Sequence, residues 1–314
     1  MKIFTLAPKE NWICDRFAEE WKNYAPHLNT ENPAGANVIW LLADWCWNHL
    51  HPQILTTKKV VASVHHITPS KFDDVEKKNF MIRDQIIDAY HVPCRKTRDQ
   101  ISGLTSKPIY TFPFWVNQNI WVDKKSEKKD LREKYGLPQD KFLIGSFQRD
   151  TEGHDLISPK LEKGPDLFCD AIKRFESKKG KGNVEVVLAG WRRQYVMKRL
   201  TEAGIKWHYT ELPPLEVIND LYNCLDLYIV SARYEGGPQA IVECASNNTP
   251  IISTGVGLAP EILPEESIFI PGEELSAIAS PEKAKMNVYP FLMPHGFKNF
   301  ETLFKEVLEN DKNR

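Results

Sequence analysis

Short apolar runs alternate with longer amphipathic or polar stretches along the whole chain. The runs are continuous and rich in β-branched and aromatic residues, which is typical of strands buried on both faces of a parallel sheet. They occupy residues 2–6, 37–43, 60–65, 89–92, 109–116, 142–147, 184–190, 207–210, 225–231 and 249–253. Because amphipathic segments separate them, the pattern predicts α/β sheets with helices on both faces.

A highly charged segment divides this pattern into two halves. Residues 123–130 read Asp-Lys-Lys-Ser-Glu-Lys-Lys-Asp, and we expect a solvated linker there. Residues 1–122 and 131–292 are then two Rossmann-like domains, and residues 293–314 form a C-terminal amphipathic helix. Two such domains usually bind a ligand in the cleft beyond the carboxyl ends of their strands.

Composition and charge narrow the class of protein further. The 314 residues carry 41 lysines and arginines against 42 acidic residues, so broad electrostatic binding of nucleic acid is not expected. Six scattered cysteines without a Cys-x-x-Cys pair indicate reduced core residues and neither a zinc site nor a disulfide framework. The chain shows no signal peptide and no apolar run of ~20 residues. We expect a soluble cytoplasmic protein without a transmembrane segment.

One segment in the second half carries specific chemistry. Glu235 opens a Gly236-Gly237-Pro238 turn, and Glu243 follows in what the pattern predicts as a helix. Glycines let the backbone approach a ligand, and proline suits the first helical position. The N–H groups of such a helix end favour an anion such as a diphosphate. Carboxylates beside an anion site point to recognition of hydroxyl groups, so the site suits a sugar nucleotide.

The ordered motifs of this region resemble a known family. Glu235-Gly236-Gly237-Pro238, Glu243-Cys244-Ala245, Pro250-Ile251-Ile252 and Pro260-Glu261-Ile262 are similar to the donor-binding segment of GT4 retaining glycosyltransferases (glycosyl transferases group 1). That family has the GT-B fold, two Rossmann-like domains facing across a cleft. The resemblance implies a retaining, hexosyltransferase-like enzyme. Residues 131–292 would bind the donor, and residues 1–122 would lie on the acceptor side.

The resemblance extends to the start of the donor domain. A strand that ends near Gly145 is followed by Arg149 and then by Lys163-Gly164 at the start of a helix. In the family, the matching arginine and lysine bind the donor diphosphate, and fixed cations would neutralise the charge of the leaving group. Lys160 competes for the role of the lysine.

The two glutamates receive separate roles from the same resemblance. Glu243 would hydrogen-bond the ribose hydroxyls of the nucleotide, and Glu235 would contact hydroxyls of the transferred sugar. Other residues of the expected donor pocket are Gly190, Gly236, Gly237, Pro238 and Gln239, with Arg193 as a further candidate cation or, equally, an exposed helix residue.

The first half matches the family more loosely. The strand at residues 60–64 runs into His65-His66, where many members have a histidine that contacts the donor sugar or positions the acceptor. His65 matches by register, and His66 is a second candidate. The first strand-to-helix loop lacks the glycine pair of many members, which leaves the acceptor open: a sugar, glycan, lipid-linked or protein acceptor.

The expected chemistry requires no metal ion and no cofactor. The chain contains no Asp-x-Asp motif, which commonly holds a metal-bound diphosphate in the other main glycosyltransferase fold. The nucleotide-sugar donor, such as a UDP- or GDP-sugar, is a substrate. Peripheral membrane association stays open.

Two other functions fit the same fold. A sugar-nucleotide epimerase would need catalytic groups in the first half, where Asp44, Asp88 and His91 are available but match no pattern. A non-catalytic sugar-nucleotide-binding protein would keep the fold without turnover. Arg149, Lys163, Glu235 and Glu243 are all present, which argues against a protein that has lost its catalytic activity.

Overall fold

The computed structural model describes residues 1–10, 13–153 and 155–309. The chain divides into two compact units, Met1–Trp115 with Pro294–Arg314, and Val116–Met293. Each unit is built around its own parallel sheet, and the predicted α/β class is confirmed. Among the described ranges, no helix combines the length and apolar character required to cross a bilayer.

The first unit contains a five-stranded parallel sheet in the order β1-β2-β3-β4-β5. Its strands are β1 (Ile3–Leu6), β2 (Val38–Leu41), β3 (Lys59–Ser63), β4 (Ala89–Val92) and β5 (Ile109–Thr111), and its first four helices are α1 (Ile13–Tyr24), α2 (Pro52–Thr57), α3 (Asp74–Asp84) and α4 (Arg95–Ser102). Strands β2 and β4 are buried along their whole length, as the continuous apolar runs predict.

The second unit contains a six-stranded parallel sheet in the order β11-β10-β9-β6-β7-β8. Its strands are β6 (Phe142–Ser146), β7 (Val184–Ala189), β8 (Trp207–Thr210), β9 (Leu227–Val230), β10 (Ile251–Thr254) and β11 (Ile268–Phe269). Its helices are α5 (Lys128–Lys134), α6 (Pro165–Lys179), α7 (Gln194–Glu202), α8 (Leu215–Cys224), α9 (Gln239–Ser246), α10 (Ala259–Ile262) and α11 (Pro281–Val288). The strand order reverses between the neighbours β6 and β9, and ligands of open α/β sheets bind at such a point.

The C-terminal helix α12 (His295–Glu309) belongs to the first unit. Its Phe297 packs on Trp115, with ring centroids 4.2 Å apart, and its Phe300 lies 4.7 Å from Trp40. Trp21 of α1 joins the same cluster, 5.7 Å from Trp40. Most of the first-half tryptophans that are described are therefore core residues, while Trp12 lies outside the described residues.

Residues 123–130, expected to be a solvated linker, are folded into the second unit. Lys124 Nζ lies 2.6 Å from Asp220 Oδ1, and Lys128 Nζ lies 2.7 Å from Asp226 Oδ1. Asp220 lies within α8 and Asp226 lies two residues beyond its end, so these ion pairs fasten the charged segment and the start of α5 to this helix and to the segment that follows it. Six of the eight residues are exposed, as expected, but charge composition does not show which partners the fold supplies to the two half-buried lysines.

Local backbone chemistry sets the first residue of two helices. Helix α3 begins at Asp74, because the Asp73 carboxylate caps it by accepting from the N–H of Val75 at 3.0 Å. Helix α7 begins at Gln194, because Arg192 has a φ of 58° and keeps the helix from starting earlier.

Candidate functional site

Two loops at the carboxyl ends of β6 and β9 are locked together. The backbone N–H groups of Arg233 and Tyr234 both donate to the carbonyl of Glu162, at 2.7 and 3.1 Å. The Arg233 guanidinium also makes a bidentate pair with Asp166 in the first turn of α6, at 2.8 and 2.6 Å. These bonds join the segment before α6 to the segment after β9 and fix the residues between them.

Locking these loops brings Lys163 and Glu235 into contact. Lys163 Nζ donates to Glu235 Oε1, although the two residues are 72 positions apart in the chain. Burial, with the positive charges of Lys160 and Arg149, lowers the pKa of the Lys163 ammonium to about 7. The carboxylate of Glu162 acts in the opposite direction and favours the charged form. The contact places one cation and one carboxylate at the strand-order reversal.

The close approach of these loops requires a glycine at position 164. Gly164 has a φ of 62°, and a Cβ atom built on it would lie 1.9 Å from the carbonyl oxygen of Ser231. The Ser231 hydroxyl also donates to the Gly164 carbonyl at 2.8 Å. Any side chain at position 164 would therefore push apart the loops that carry Lys163 and Glu235.

Arg149 lies three residues beyond the end of β6 on the same edge of the sheet. Its Nε donates to the carbonyl of Thr151 at 2.8 Å, and its guanidinium lies 5.8 Å from the centre of the half-exposed Trp191 ring. Burial and the neighbouring Arg192 lower the pKa of Arg149. The carboxylate of Glu152 acts in the opposite direction and favours the charged form.

Glu243 lies in α9 and is 6% exposed. The hydroxyl of Tyr222, on α8, donates to Glu243 Oε2 at 2.9 Å. Burial of a carboxylate is costly unless hydrogen bonds replace its water. The structure therefore holds Glu243 in a defined orientation inside the second unit.

The turn between Glu235 and α9 differs by one residue from the sequence expectation. Pro238 is the residue before the helix and not its first residue, since α9 begins at Gln239. The Gln239 amide donates back to the Gly237 carbonyl at 3.1 Å, while the Gly236 carbonyl accepts from the N–H of Leu258 at 2.8 Å. These bonds fix the glycine turn from both sides.

Close packing explains why glycine occupies two other positions that were expected at the donor pocket. Gly145 lies within β6, and a Cβ there would meet Leu225 Cδ1 at 2.2 Å, so the position serves packing. Gly190 follows β7 with a φ of 94°, and a Cβ there would lie 3.1 Å from the carbonyl oxygen of Phe147. Gly190 therefore allows the turn after β7 to approach the loop after β6.

Arg193 has a different role from the one expected. It is only 1% exposed, and its guanidinium pairs with Asp150 Oδ2 at 3.1 Å. It also donates to the carbonyls of Ser146 and Ala189, at the ends of β6 and β7. The N–H groups of its guanidinium donate to residues inside the unit. Arg193 is therefore neither a surface cation nor a further cation of the donor pocket.

Lys160 is half-buried next to the pair. Its backbone N–H donates to the Asp150 carbonyl at 2.8 Å, which anchors the end of the loop after β6. Its charge lowers the pKa of Lys163, so the two ammonium groups lie near each other. Lys163, rather than Lys160, is the lysine in contact with Glu235.

His65 and His66 belong to the first unit and follow β3. The Nε2 of His65 donates to the Leu42 carbonyl at 2.8 Å and lies 3.4 Å from Cys14 Sγ. Its ring stacks on Phe114, with centroids 5.6 Å apart. Both histidines are half-buried.

The residues that an epimerase would need are engaged in internal contacts of the first unit. The Asp44 carboxylate pairs with Arg83 at 2.5 Å, and the Asp88 carboxylate accepts from the N–H of Val60 at 2.8 Å. His91 is fully buried, which lowers its pKa to about 3. The Nε2 atom of this histidine donates to the Phe112 carbonyl at 2.9 Å. These contacts give the three side chains structural reasons to be present.

Several residues that shape the site were not predicted from the sequence. The Asp166–Arg233 pair could have been suspected, because Arg233 lies two residues before Glu235 and Asp166 opens α6. Tyr222 gave no signal beyond its place on an apolar helix face. Its contact with Glu243 depends on how α8 packs against α9, which the sequence pattern does not show.

The second half of the chain is similar in sequence to known glycosyltransferases. The sequence model of the family described as "Glycosyl transferases group 1" matches residues 156–281. The lipopolysaccharide core biosynthesis mannosyltransferase LpsB of Rhizobium meliloti (strain 1021) is 24% identical over 178 residues, which cover 53% of this chain and 47% of that protein. The chain thus spans about half the length of this curated relative.

Solved structures of similar fold cover nearly the whole chain. Alr3699/HepE of Anabaena in complex with UDP and glucose has a TM-score of 0.75 and 14% identity, and covers 97% of this chain and 100% of that one. Sucrose-phosphate synthase of Thermosynechococcus elongatus has a TM-score of 0.67 and 15% identity, with coverages of 97% and 81%. The chain therefore has the GT-B fold, and residues 156–281 of its second half are similar to the glycosyl transferases group 1 family.

Proposed function

We propose that this protein is a retaining, metal-independent glycosyltransferase of the GT4 type, which transfers a hexose or related sugar from a nucleoside-diphosphate donor. The observation that carries the proposal is the contact of Lys163 with Glu235 at the strand-order reversal of the second unit. This contact holds a cation that suits a phosphate next to a carboxylate that suits sugar hydroxyls.

The charges around this contact support a diphosphate site. Arg149 and Lys163 follow the same strand, and Lys160 lies near them. Fixed cations stabilise the negative charge that develops on a departing nucleoside diphosphate without requiring a metal ion. In this proposal, Lys163 exchanges part of its contact with Glu235 for the diphosphate, and Glu235 turns to hydroxyls of the donor sugar.

We assign roles to the other candidate residues according to their positions in the structure. Glu243 binds the ribose hydroxyls, and the turn of Gly236, Gly237 and Gln239 lines the donor pocket. His65, in the first unit, contacts a sugar substrate through its imidazole. The departing phosphate itself takes the proton of the acceptor hydroxyl, which requires no separate protein base.

The known relatives are consistent with a nucleotide-sugar donor. Structural neighbours include HepE in complex with UDP-glucose, and the curated relative is a mannosyltransferase. We extend to this chain only the donor class, a nucleotide sugar such as a UDP- or GDP-sugar. All six cysteines are free and buried, which supports a cytoplasmic location.

A turnover screen tests the proposal. UDP-, GDP-, ADP- and dTDP-sugars are incubated with the protein in EDTA, and release of nucleoside diphosphate is measured. We expect slow release from one donor, with a loss of about 100-fold or more in Glu235→Ala. Glu216→Ala, an exposed glutamate on α8, serves as the control and keeps wild-type release. A protein that binds donors without releasing diphosphate in the presence of acceptor sugars would be a binding protein instead.

A further inference from the structure

A buried tyrosine links the ribose-binding candidate to the core of the second unit. Tyr222 is 2% exposed, and its hydroxyl donates to Glu243 Oε2 at 2.9 Å. Its ring lies 4.8 Å from that of Phe147 and 5.3 Å from that of Tyr228. Strand β9 and the loop after β6 therefore hold the ring on two sides, and the hydroxyl has little freedom to leave the carboxylate.

We infer that Tyr222 is a positioning residue for Glu243, and that the pair makes the site selective for ribose nucleotides over their deoxy counterparts. The inference rests on the proposed function, in which Glu243 binds the ribose hydroxyls. Tyr222 does not touch the donor itself. It acts by fixing the orientation of a carboxylate that does.

The physical basis is the cost of burying a carboxylate. Glu243 is mostly removed from water, and the Tyr222 hydroxyl replaces part of the hydration that its charged form requires. A carboxylate anchored at one oxygen also has fewer orientations to lose when a ribose binds. Burial and the charge of Glu243 raise the pKa of Tyr222, which keeps the phenol protonated as a donor.

Tyr228 provides a matched control within the same aromatic cluster. It is 2% exposed, like Tyr222, but its hydroxyl accepts from the N–H of Phe147 at 2.8 Å. Tyr228→Phe therefore removes an equally buried hydroxyl from the same cluster without removing a bond to Glu243. A general loosening of the cluster would affect both variants alike.

The test is titration calorimetry of the protein with UDP and GDP and with their 2′,3′-dideoxy forms. We expect wild type to prefer the ribose form of its nucleotide by at least about tenfold. Tyr222→Phe should weaken binding of the ribose form roughly three- to tenfold and leave binding of the dideoxy form unchanged. Tyr228→Phe should keep the wild-type ratio. In turnover assays, Tyr222→Phe should raise the donor KM with little change in kcat.

A double-mutant comparison keeps the inference falsifiable if Tyr222→Phe lowers stability. Adding Tyr222→Phe to Glu243→Gln should cause no further loss of ribose preference, because both act through one contact. If Glu243→Gln abolishes the preference and Tyr222→Phe alone keeps it, the inference fails while the proposed function stands. If wild type binds neither UDP nor GDP, and also neither ADP nor dTDP, the proposed function fails, and the inference fails with it.

Discussion

The two units share a parallel sheet flanked by helices, but they concentrate different side chains. In the first unit, the described tryptophans of α1 and β2 pack with the phenylalanines of α12 in a cluster of buried rings. In the second unit, the loops after β6 and β9 gather arginines, lysines and carboxylates. The first arrangement gains stability from apolar burial, and the second orients charge.

Because the two units differ in this way, we expect mutations to affect stability and ligand binding separately. The buried aromatic side chains have a large apolar area and no charge. Removing one should therefore destabilise its unit without altering how an anion is bound. In the proposed function, the charged loops that carry Arg149 and Lys163 should determine ligand affinity and contribute less to stability. The predictions below test that separation.

The largest effect is expected in the aromatic cluster. Trp40 is fully buried and touches Trp21 and Phe300, so Trp40→Ala should lower the free energy of unfolding by about 4 kcal/mol. Trp45→Ala is the control, because Trp45 is 42% exposed, and it should cost less than about 1 kcal/mol. Denaturant titration measures both, and equal costs would contradict the proposed importance of the buried cluster.

Next in size is a comparison of two arginines of the second unit. Arg193→Met breaks the buried pair with Asp150 and should cost about 3 kcal/mol of stability. Arg149→Met should change stability by less than about 1 kcal/mol, yet weaken nucleoside-diphosphate binding by about tenfold or more. Thermal unfolding and calorimetry separate the two effects. If Arg193→Met weakened binding without loss of stability, its structural assignment would be wrong.

A smaller effect is expected where the two loops approach. Gly164→Ala would place a Cβ against the Ser231 carbonyl, whereas Gly204→Ala meets nothing within 4 Å at a similar φ of 70°. Both variants carry the strain of a left-handed alanine, so their difference, about 2 kcal/mol, isolates the clash. Indistinguishable unfolding curves would show that the loops move apart freely.

The smallest effect concerns pH. The pKa of Lys163 is about 7 in the folded protein, below its ordinary value of 10.5, so its ammonium is lost as the pH rises above 7. A bound diphosphate favours the charged form, hence binding takes up a proton and weakens at higher pH. We expect at least about a tenfold loss of nucleotide affinity, about 1.4 kcal/mol, between pH 7 and pH 9. Lys163→Arg should remove this dependence, since guanidinium stays charged.

The sequence predicted the second unit better than the first because its motifs are local. The turn before α9 and the helix after Lys163 each depend on neighbouring residues, and both were placed within a few positions. Arg193 could not be assigned in this way, because its partner Asp150 lies 43 residues away. The same holds for Lys124 and Asp220, which are 96 residues apart. Such pairs depend on how strands and helices pack.

The most direct test of the central claim is calorimetric titration of the protein, in EDTA, with UDP, GDP, ADP and dTDP. We expect one nucleotide to bind the wild type, and Lys163→Met to bind it at least about tenfold more weakly. Lys206→Met, which removes a mostly exposed lysine of the same unit, should bind like wild type. Absence of binding to every nucleotide, or equal binding by both variants, would contradict the proposed donor site.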